Sequence, residues 1–241
     1  MMKRDAIYSG ESHGGDFTFD DQVASVFADM IRRSVPGYAQ TLQMVELLAH
    51  QYAQAGSYLY DLGCSLGAAT MALARGCAGR DCRIIGVDNS PAMIRRCKET
   101  LKDMLQNRSV EIRCQDILDT DIENASVVTM NFVLQFVPKE KRLALLEKTC
   151  RELRPGGVLI LSEKIAFDDP EENRRQIELH EAFKRAQGYS ELEINRKRTA
   201  LENVLIPETE GAHHARLKQA GFSGVNTWFQ CFNFMSMIAI K

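Results

Sequence analysis

No stretch of the chain approaches the roughly 18 consecutive apolar residues that a membrane-spanning helix requires. The opening MMKRDAIYSGESHGGDF also lacks the apolar centre of a secretory signal. Both absences point to the cytoplasm. Neither sign of charge dominates: 30 Lys and Arg against 32 Asp and Glu give a formal net charge of −2. Without a basic surplus, neither direct nucleic-acid binding nor attraction to an anionic membrane is expected. The seven cysteines are odd in number and never spaced C-x-x-C. That removes the usual zinc and redox spacings, and in a reducing compartment leaves them as small apolar residues. Of five histidines only His213 and His214 are close together, and neighbours on a helix point to different sides, so no metal site is expected. Repeats and low-complexity segments are absent.

What the chain does have is alternation. Short apolar runs YLYDL (58–62), RIIGVD (83–88), VEIRC (110–114), SVVTMNF (126–132) and VLILSEK (158–164) are separated by helical segments. This is the pattern of a parallel sheet covered by helices on both faces. GVNTWFQ (224–230) and FMSMIAIK (234–241) add two later strands. The expected class is therefore α/β, Rossmann-like, with a seven-stranded, mostly parallel sheet. Ser90-Pro91 opens a helix, with serine at the cap and proline at the first helical position. The helix from Pro138 is expected to stop at RPGG (154–157), followed by a turn. Two segments lie outside the alternation. Residues 20–54 are helical on either side of Val35-Pro36-Gly37, and residues 170–205 form a mostly polar helical insertion. One domain is expected: a helical cover over 1–54, a core over 55–165, the insertion over 166–207, and a last helix and strands over 208–241.

The first strand runs into Gly63-Cys64-Ser65-Leu66-Gly67. Glycines there permit a sharp turn and a close approach of backbone N–H groups to a ligand, with a helix N-terminus behind. The G-x-G-x-x-G spacing of dinucleotide sites is missing, which favours a ligand without phosphates. Asp88 ends the second strand, 88 − 63 = 25 residues on, where a carboxylate can accept from both ribose hydroxyls. Asp116-Ile117 follows the third strand, placed to accept from a purine amine and to lie against its ring. Asn131, at the end of the fourth strand, suits the amino-acid end of a ligand. Singly, each has a plainer alternative as a turn, helix start, loop or polar strand end. Together they fall at the carboxyl edge of one parallel sheet, where such sheets bind ligands. S-adenosylmethionine or a close relative fits that set.

Through DLGCSLG, GVDNS, QDI and NFVLQF the chain resembles the class I methyltransferase-like fold over roughly residues 55–165. The remainder narrows the likeness. FTFDDQVASVFADMIRRSVPGYAQ, LSEKIAFDD, LHEAFKRAQGYSELEINRKRTALENVLIPET and WFQCFNFMSMIAIK resemble the carboxy-S-adenosyl-L-methionine synthase family, over essentially the whole chain. The resemblance implies an enzyme that makes carboxy-S-adenosyl-L-methionine from S-adenosyl-L-methionine and prephenate, releasing phenylpyruvate. The product would pass to a tRNA carboxymethyltransferase that builds the 5-oxyacetyl group on wobble uridine. The resemblance also implies a homodimer.

Carried over by motif, Tyr38 would close over the ligand, while Gly63, Cys64 and Ser65 would supply turn contacts. Asp88 with Asn89 would hold the ribose side, Asp116 and Ile117 would bracket the adenine, and Asn131 would reach the methionyl end. Arg198 would pair with the added carboxylate and is the expected catalytic residue. Helical spacing puts Ile194, Arg198, Leu201 and Leu205 on one stripe, with Arg196 nearly opposite and free to stay in solvent. A snorkelling arginine would show the same spacing. The other cations of the insertion, such as Lys184 and Arg185, are expected on a solvated face. A conventional S-adenosylmethionine-dependent small-molecule methyltransferase and a non-catalytic nucleoside-binding scaffold are the competing functions.

Overall fold

The computed structural model describes residues 3–10, 15–106 and 109–241. The apolar runs form β1 (Ser57–Leu62), β2 (Cys82–Asp88), β3 (Val110–Cys114), β4 (Ala125–Asn131) and β5 (Leu153–Ala166). All five are parallel, and β7 (Gly224–Cys231) and β8 (Phe234–Ile240) join antiparallel beyond β5. The order is β3-β2-β1-β4-β5-β8-β7. After β3 the chain crosses to the other side of β1, so the strand order reverses between β1 and β4. That reversal opens the crevice in which α/β sheets hold ligands. An eighth strand, β6 (Glu208–Thr209), pairs with Ile165 and Ala166 of β5. Two residues of Glu and Thr carry no strand signal, and the sequence does not anticipate it.

Alternation along the strands builds a core on each face. Leu59 and Val127 pack with Val45, Ala49 and Leu73 of α2 (Tyr38–Tyr52) and α3 (Ala68–Gly76). Tyr60, Leu62 and Val128 pack with Leu145, Leu146 and Leu217 of α6 (Lys139–Glu152) and α9 (Glu210–Gln219). Ser90 caps α4 (Pro91–Thr100), its hydroxyl accepting from the Met93 N–H at 3.2 Å; the short α5 (Lys102–Gln106) follows. One expectation shifts. The sixth helix does stop at Glu152, but RPGG lies within the long β5, where the β4–β5 register jumps between Ala125 and Val127.

The break at Val35-Pro36-Gly37 separates α1 (Asp21–Ser34) from α2. Gly37 is left-handed (φ 74°), and a Cβ there would fall 2.2 Å from the Phe229 ring, so space and conformation both demand glycine. The insertion forms α7 (Pro170–Ala186) and α8 (Glu191–Leu201). Arg33 of α1 stacks 3.8 Å over the Tyr189 ring and donates to the Gln187 carbonyl at 2.8 Å. It also donates to the Asp5 carbonyl at 3.1 Å. The N-terminal segment, α1 and the insertion thus make one wall over the sheet edge.

The return from that wall is pinned by Arg142, fully buried on α6. Its guanidinium donates to the carbonyls of Val137 (2.9 Å), Gln135 (3.2 Å) and Ile206 (3.0 Å) and to the Glu208 carboxylate. Removing one partner of a buried pair strands the others. Arg142→Met is expected to lower stability by about 3–5 kcal/mol, checked by urea unfolding; a loss under about 1 kcal/mol contradicts the role given to this side chain.

Candidate active site

A cavity of about 390 Å³ opens at the carboxyl edge of β1, β2, β3 and β4, beneath the wall of α1, α7 and α8. That size is usual for small-molecule sites. Its floor is the glycine turn. Gly63 is left-handed (φ 82°), and a Cβ on it would lie 2.3 Å from Val133 Cγ2. Ser65 also turns left-handed (φ 49°), a conformation uncommon for a serine. It is held because its N–H donates to Asp88 Oδ2 at 2.9 Å. The other Asp88 oxygen accepts from the Ser90 N–H at 2.9 Å. The Asp88 carboxylate therefore braces both the glycine turn and the start of α4. It still faces the cavity with its remaining lone pairs. Burial raises its pKa, against the two N–H donors.

Asp116 Oδ1 accepts from the Leu118 N–H at 2.9 Å, which fixes a tight loop and presents Ile117 to the cavity. Asn131 lines the same space, and its buried Oδ1 has no partner. An orphaned buried acceptor costs free energy unless a donor arrives. Tyr38 stands across the cavity, 6.4 Å from Phe132 between ring centres. Burial first and then the Asp61 charge drive its pKa upward, so the phenol stays protonated. Cys64 and Asn89 complete the set on this wall, and the neighbouring Cys97 first, then burial, hold the Cys64 thiol protonated. Every expected binding residue from Tyr38 to Asn131 thus lines one cavity. Behind it, Asp61 Oδ2 accepts from the Thr70 hydroxyl at 2.6 Å while Oδ1 has no partner. Burial pushes Asp61 up to about 7.

Arg198 departs from expectation. Its side chain is 61% exposed and pairs outward with Glu181 at 3.0 Å and Asn195 at 3.1 Å. The buried face of α8 is Ile194, Lys197 and Ala200. At about 100° per residue, Ile194, Leu201 and Leu205 define a stripe that includes Arg198. Packing instead turns the helix to put the small Ala200 inward, and with it Lys197, 6% exposed and lining the cavity. Lys184 is not on a solvated face either: it is 8% exposed and lines the cavity with Lys164 and His180. Arg185 does face solvent, paired with Glu191. Arg196 is not left in solvent; it is half-buried and donates to the carbonyls of Tyr8 and Gly10. Nothing in the spacing of Lys164, Lys184 and Lys197 marks them as a set, since three separate elements bring them together.

Residues 59–157 match the methyltransferase domain family. The chain is 55% identical over 241 residues to the carboxy-S-adenosyl-L-methionine synthase of Trichlorobacter lovleyi, covering 99% of both. It is 57% identical over 227 residues to the protein of the same name from Geobacter sp. strain M21, covering 94% of this chain and 93% of that one. This chain belongs to the carboxy-S-adenosyl-L-methionine synthase family. A solved O-methyltransferase family protein from Burkholderia thailandensis shares the fold, with a TM-score of 0.65 at 18% identity, over 92% of this chain and 60% of that one. Among the described residues no helix is long and apolar enough to cross a membrane, and no cluster of three or more His, Cys, Asp or Glu could hold a metal ion.

In this member of the family Asp61 gives a pH signature. With a folded pKa near 7, above the ordinary 3.8, its contribution to stability is present below about pH 4 and is lost as pH rises through 7. Asp61→Asn keeps the acceptor for Thr70 and cannot ionise. Urea unfolding at pH 4, 5.5 and 8 is expected to show wild type falling behind Asp61→Asn by on the order of 3 kcal/mol across that range. A pH-independent difference contradicts a buried, proton-binding Asp61.

Proposed function

We propose that this chain converts S-adenosyl-L-methionine and prephenate to carboxy-S-adenosyl-L-methionine, releasing phenylpyruvate. The observation that carries this is identity of 55–57% with synthases of that name across nearly the whole chain, insertion included. The cavity's chemistry supports it. Asp88 offers free lone pairs where ribose hydroxyls would lie, Ile117 an aliphatic face for a purine, and Asn131 an unmet acceptor for an amino-acid ammonium.

The sulfonium methyl group must lose a proton and then attack a carboxyl carbon. Aromatisation of prephenate breaks its C–CO₂⁻ and C–OH bonds, giving phenylpyruvate, CO₂ and hydroxide. The hydroxide takes the methyl proton and leaves as water. The resulting sulfur ylide donates its electron pair to CO₂, forming the new C–C bond. Atoms and charge balance without a further reagent. The chain's part is to enclose, orient and exclude water. The walls do this: Phe132, Phe136 and Phe234 from the sheet side face Phe19 and Phe27 from the N-terminal cover. Tyr38, held protonated, is a donor and not a base.

Arg198, assigned to the added carboxylate, stands on the outer face of α8. In that role it would serve the cavity of a second copy, in keeping with a homodimer. A guanidinium matches a carboxylate with two parallel hydrogen bonds and stays charged. We place the enzyme in the cytoplasm, handing its product to a tRNA carboxymethyltransferase acting at wobble uridine.

Mass spectrometry of a reaction with both substrates tests the reading. The expected product is heavier than S-adenosyl-L-methionine by one CO₂ and depends strictly on prephenate. Methyl transfer that ignores prephenate would instead mark a conventional methyltransferase. Asp88→Asn replaces one acceptor with an N–H₂ that opposes a backbone donor. Titration calorimetry is expected to show S-adenosyl-L-methionine binding weakened roughly ten- to hundred-fold; unchanged affinity contradicts the ribose-side assignment.

A further inference from the structure

The end of the cavity away from Asp88 gathers lysine charge that Glu181 offsets only in part. Lys164 projects from β5, Lys184 from α7 and Lys197 from α8, and all three line the cavity. Among the described residues, the ammonium groups of Lys164 and Lys184 have no hydrogen-bond or ion-pair partner. Lys197 is satisfied: it donates to Ser34 Oγ at 3.0 Å and lies 3.7 Å from Asp5. Glu181, on the same helix as Lys184, is drawn to Arg198 at 3.0 Å and Arg185 at 3.7 Å. His180 Nε2 meets the Ser34 carbonyl at 2.8 Å. A carbonyl only accepts, so Nε2 carries the proton, and burial keeps the ring neutral.

Two ammonium groups with no hydrogen-bond or ion-pair partner, set beside aromatic walls in one cavity, are placed to take up an anion. Burial, then the neighbouring lysines, already bring Lys184 to about 7, and burial lowers Lys164. The position is informative. Ser162 of β5 pairs with Asn131 of β4, so Lys164 stands one strand from Asn131. It stands three strands from Asp88 on β2, roughly 14 Å along the edge. Phe132 and Phe234 lie beside this end, the Phe234 ring 4.8 Å from His180. The surroundings therefore suit an apolar ring that carries two carboxylates.

We propose that Lys164 and Lys184, backed by Lys197, form the subsite that grips the two carboxylates of the second substrate, a ring dicarboxylate, beside the sulfonium methyl group. This rests on the reading of prephenate as that substrate. It assigns the ring's anchoring to residues of the same chain, separate from Arg198. The lysines are positioning and specificity groups, and prephenate lacking either carboxylate would be poorly held.

The test is titration of prephenate into enzyme saturated with S-adenosylhomocysteine, which lacks the reacting methyl group, for wild type, Lys164→Met and Lys184→Met. Methionine keeps the apolar stem, and loss of a cavity-facing charge without a hydrogen-bond or ion-pair partner should leave the melting temperature equal or higher. Each variant is expected to bind prephenate roughly ten- to hundred-fold more weakly. S-adenosylhomocysteine affinity should stay within about three-fold of wild type, and Lys184→Arg should recover part of the loss. Prephenate affinity unchanged in both variants overturns the subsite even where turnover proceeds. So does an equal loss for S-adenosylhomocysteine, which would give the lysines to the methionyl carboxylate. Lysine-dependent prephenate binding without any turnover would sustain the subsite and sink the proposed reaction. Failure of wild type to bind prephenate overturns both.

Discussion

Acidic side chains at the carboxyl ends of parallel strands take up the groups that the strand-to-helix loops would otherwise leave unsatisfied. Asp88 holds the N–H groups of Ser65 and Ser90, Asp116 that of Leu118, and Asp61 the Thr70 hydroxyl. Glu163, fully buried on β5, accepts from the N–H groups of Val133 (3.3 Å), Leu134 (2.9 Å) and Gln135 (2.8 Å). Strands β1, β2, β3 and β5 thereby clamp their own helices and loops and one another's. The cost is desolvated carboxylates: burial lifts Glu163 to about 8 and Asp61 to about 7. The gain is a rim whose left-handed turns cannot relax, which is what a ligand cradle made of backbone requires.

The rim is electrostatically polarised along its length. The cavity-lining carboxylates Asp88 and Asp116 stand at the β2 and β3 end, and Lys164, Lys184 and Lys197 at the β5 end. Asn131 and a belt of aromatic rings lie between. Ribose hydroxyls on Asp88 would turn the sulfonium toward the lysine end, where the carboxylates of a second substrate would offset both cationic groups. The N-terminal cover and the insertion close over it through Arg33, Tyr189 and Asp5, whose contacts link sequence positions more than 150 apart. Enclosure is a property of those two added segments, not of the sheet.

The strands were legible because helices on both faces force near-continuous apolar runs, and the rim residues because strand ends and turn glycines recur at recognisable places. Asp88, Asp116 and Asn131 all reach the cavity that their positions implied, as does Tyr38, which only the family resemblance singled out. The insertion resisted the same treatment. Its helix α8 buries Ile194, Lys197 and Ala200, and a periodicity that scores lysine as polar and ignores alanine draws a stripe that takes in Arg198 instead. Lys184 looked solvated because it lies in a mostly polar helix; only tertiary packing puts it inside. β6 and the extension of β5 through RPGG were illegible for a related reason, since pairing with a distant partner creates them.

The claim on which this account depends is that one strand-end rim seats the nucleoside in a single direction. A crystal structure with S-adenosyl-L-methionine bound measures it directly. Adenine is expected against Ile117, ribose on Asp88, the methionyl ammonium on Asn131, and the sulfonium methyl turned toward β5 and its lysines. A nucleoside lying in the reverse direction, or with its methyl turned away from Lys164 and Lys184, would contradict it.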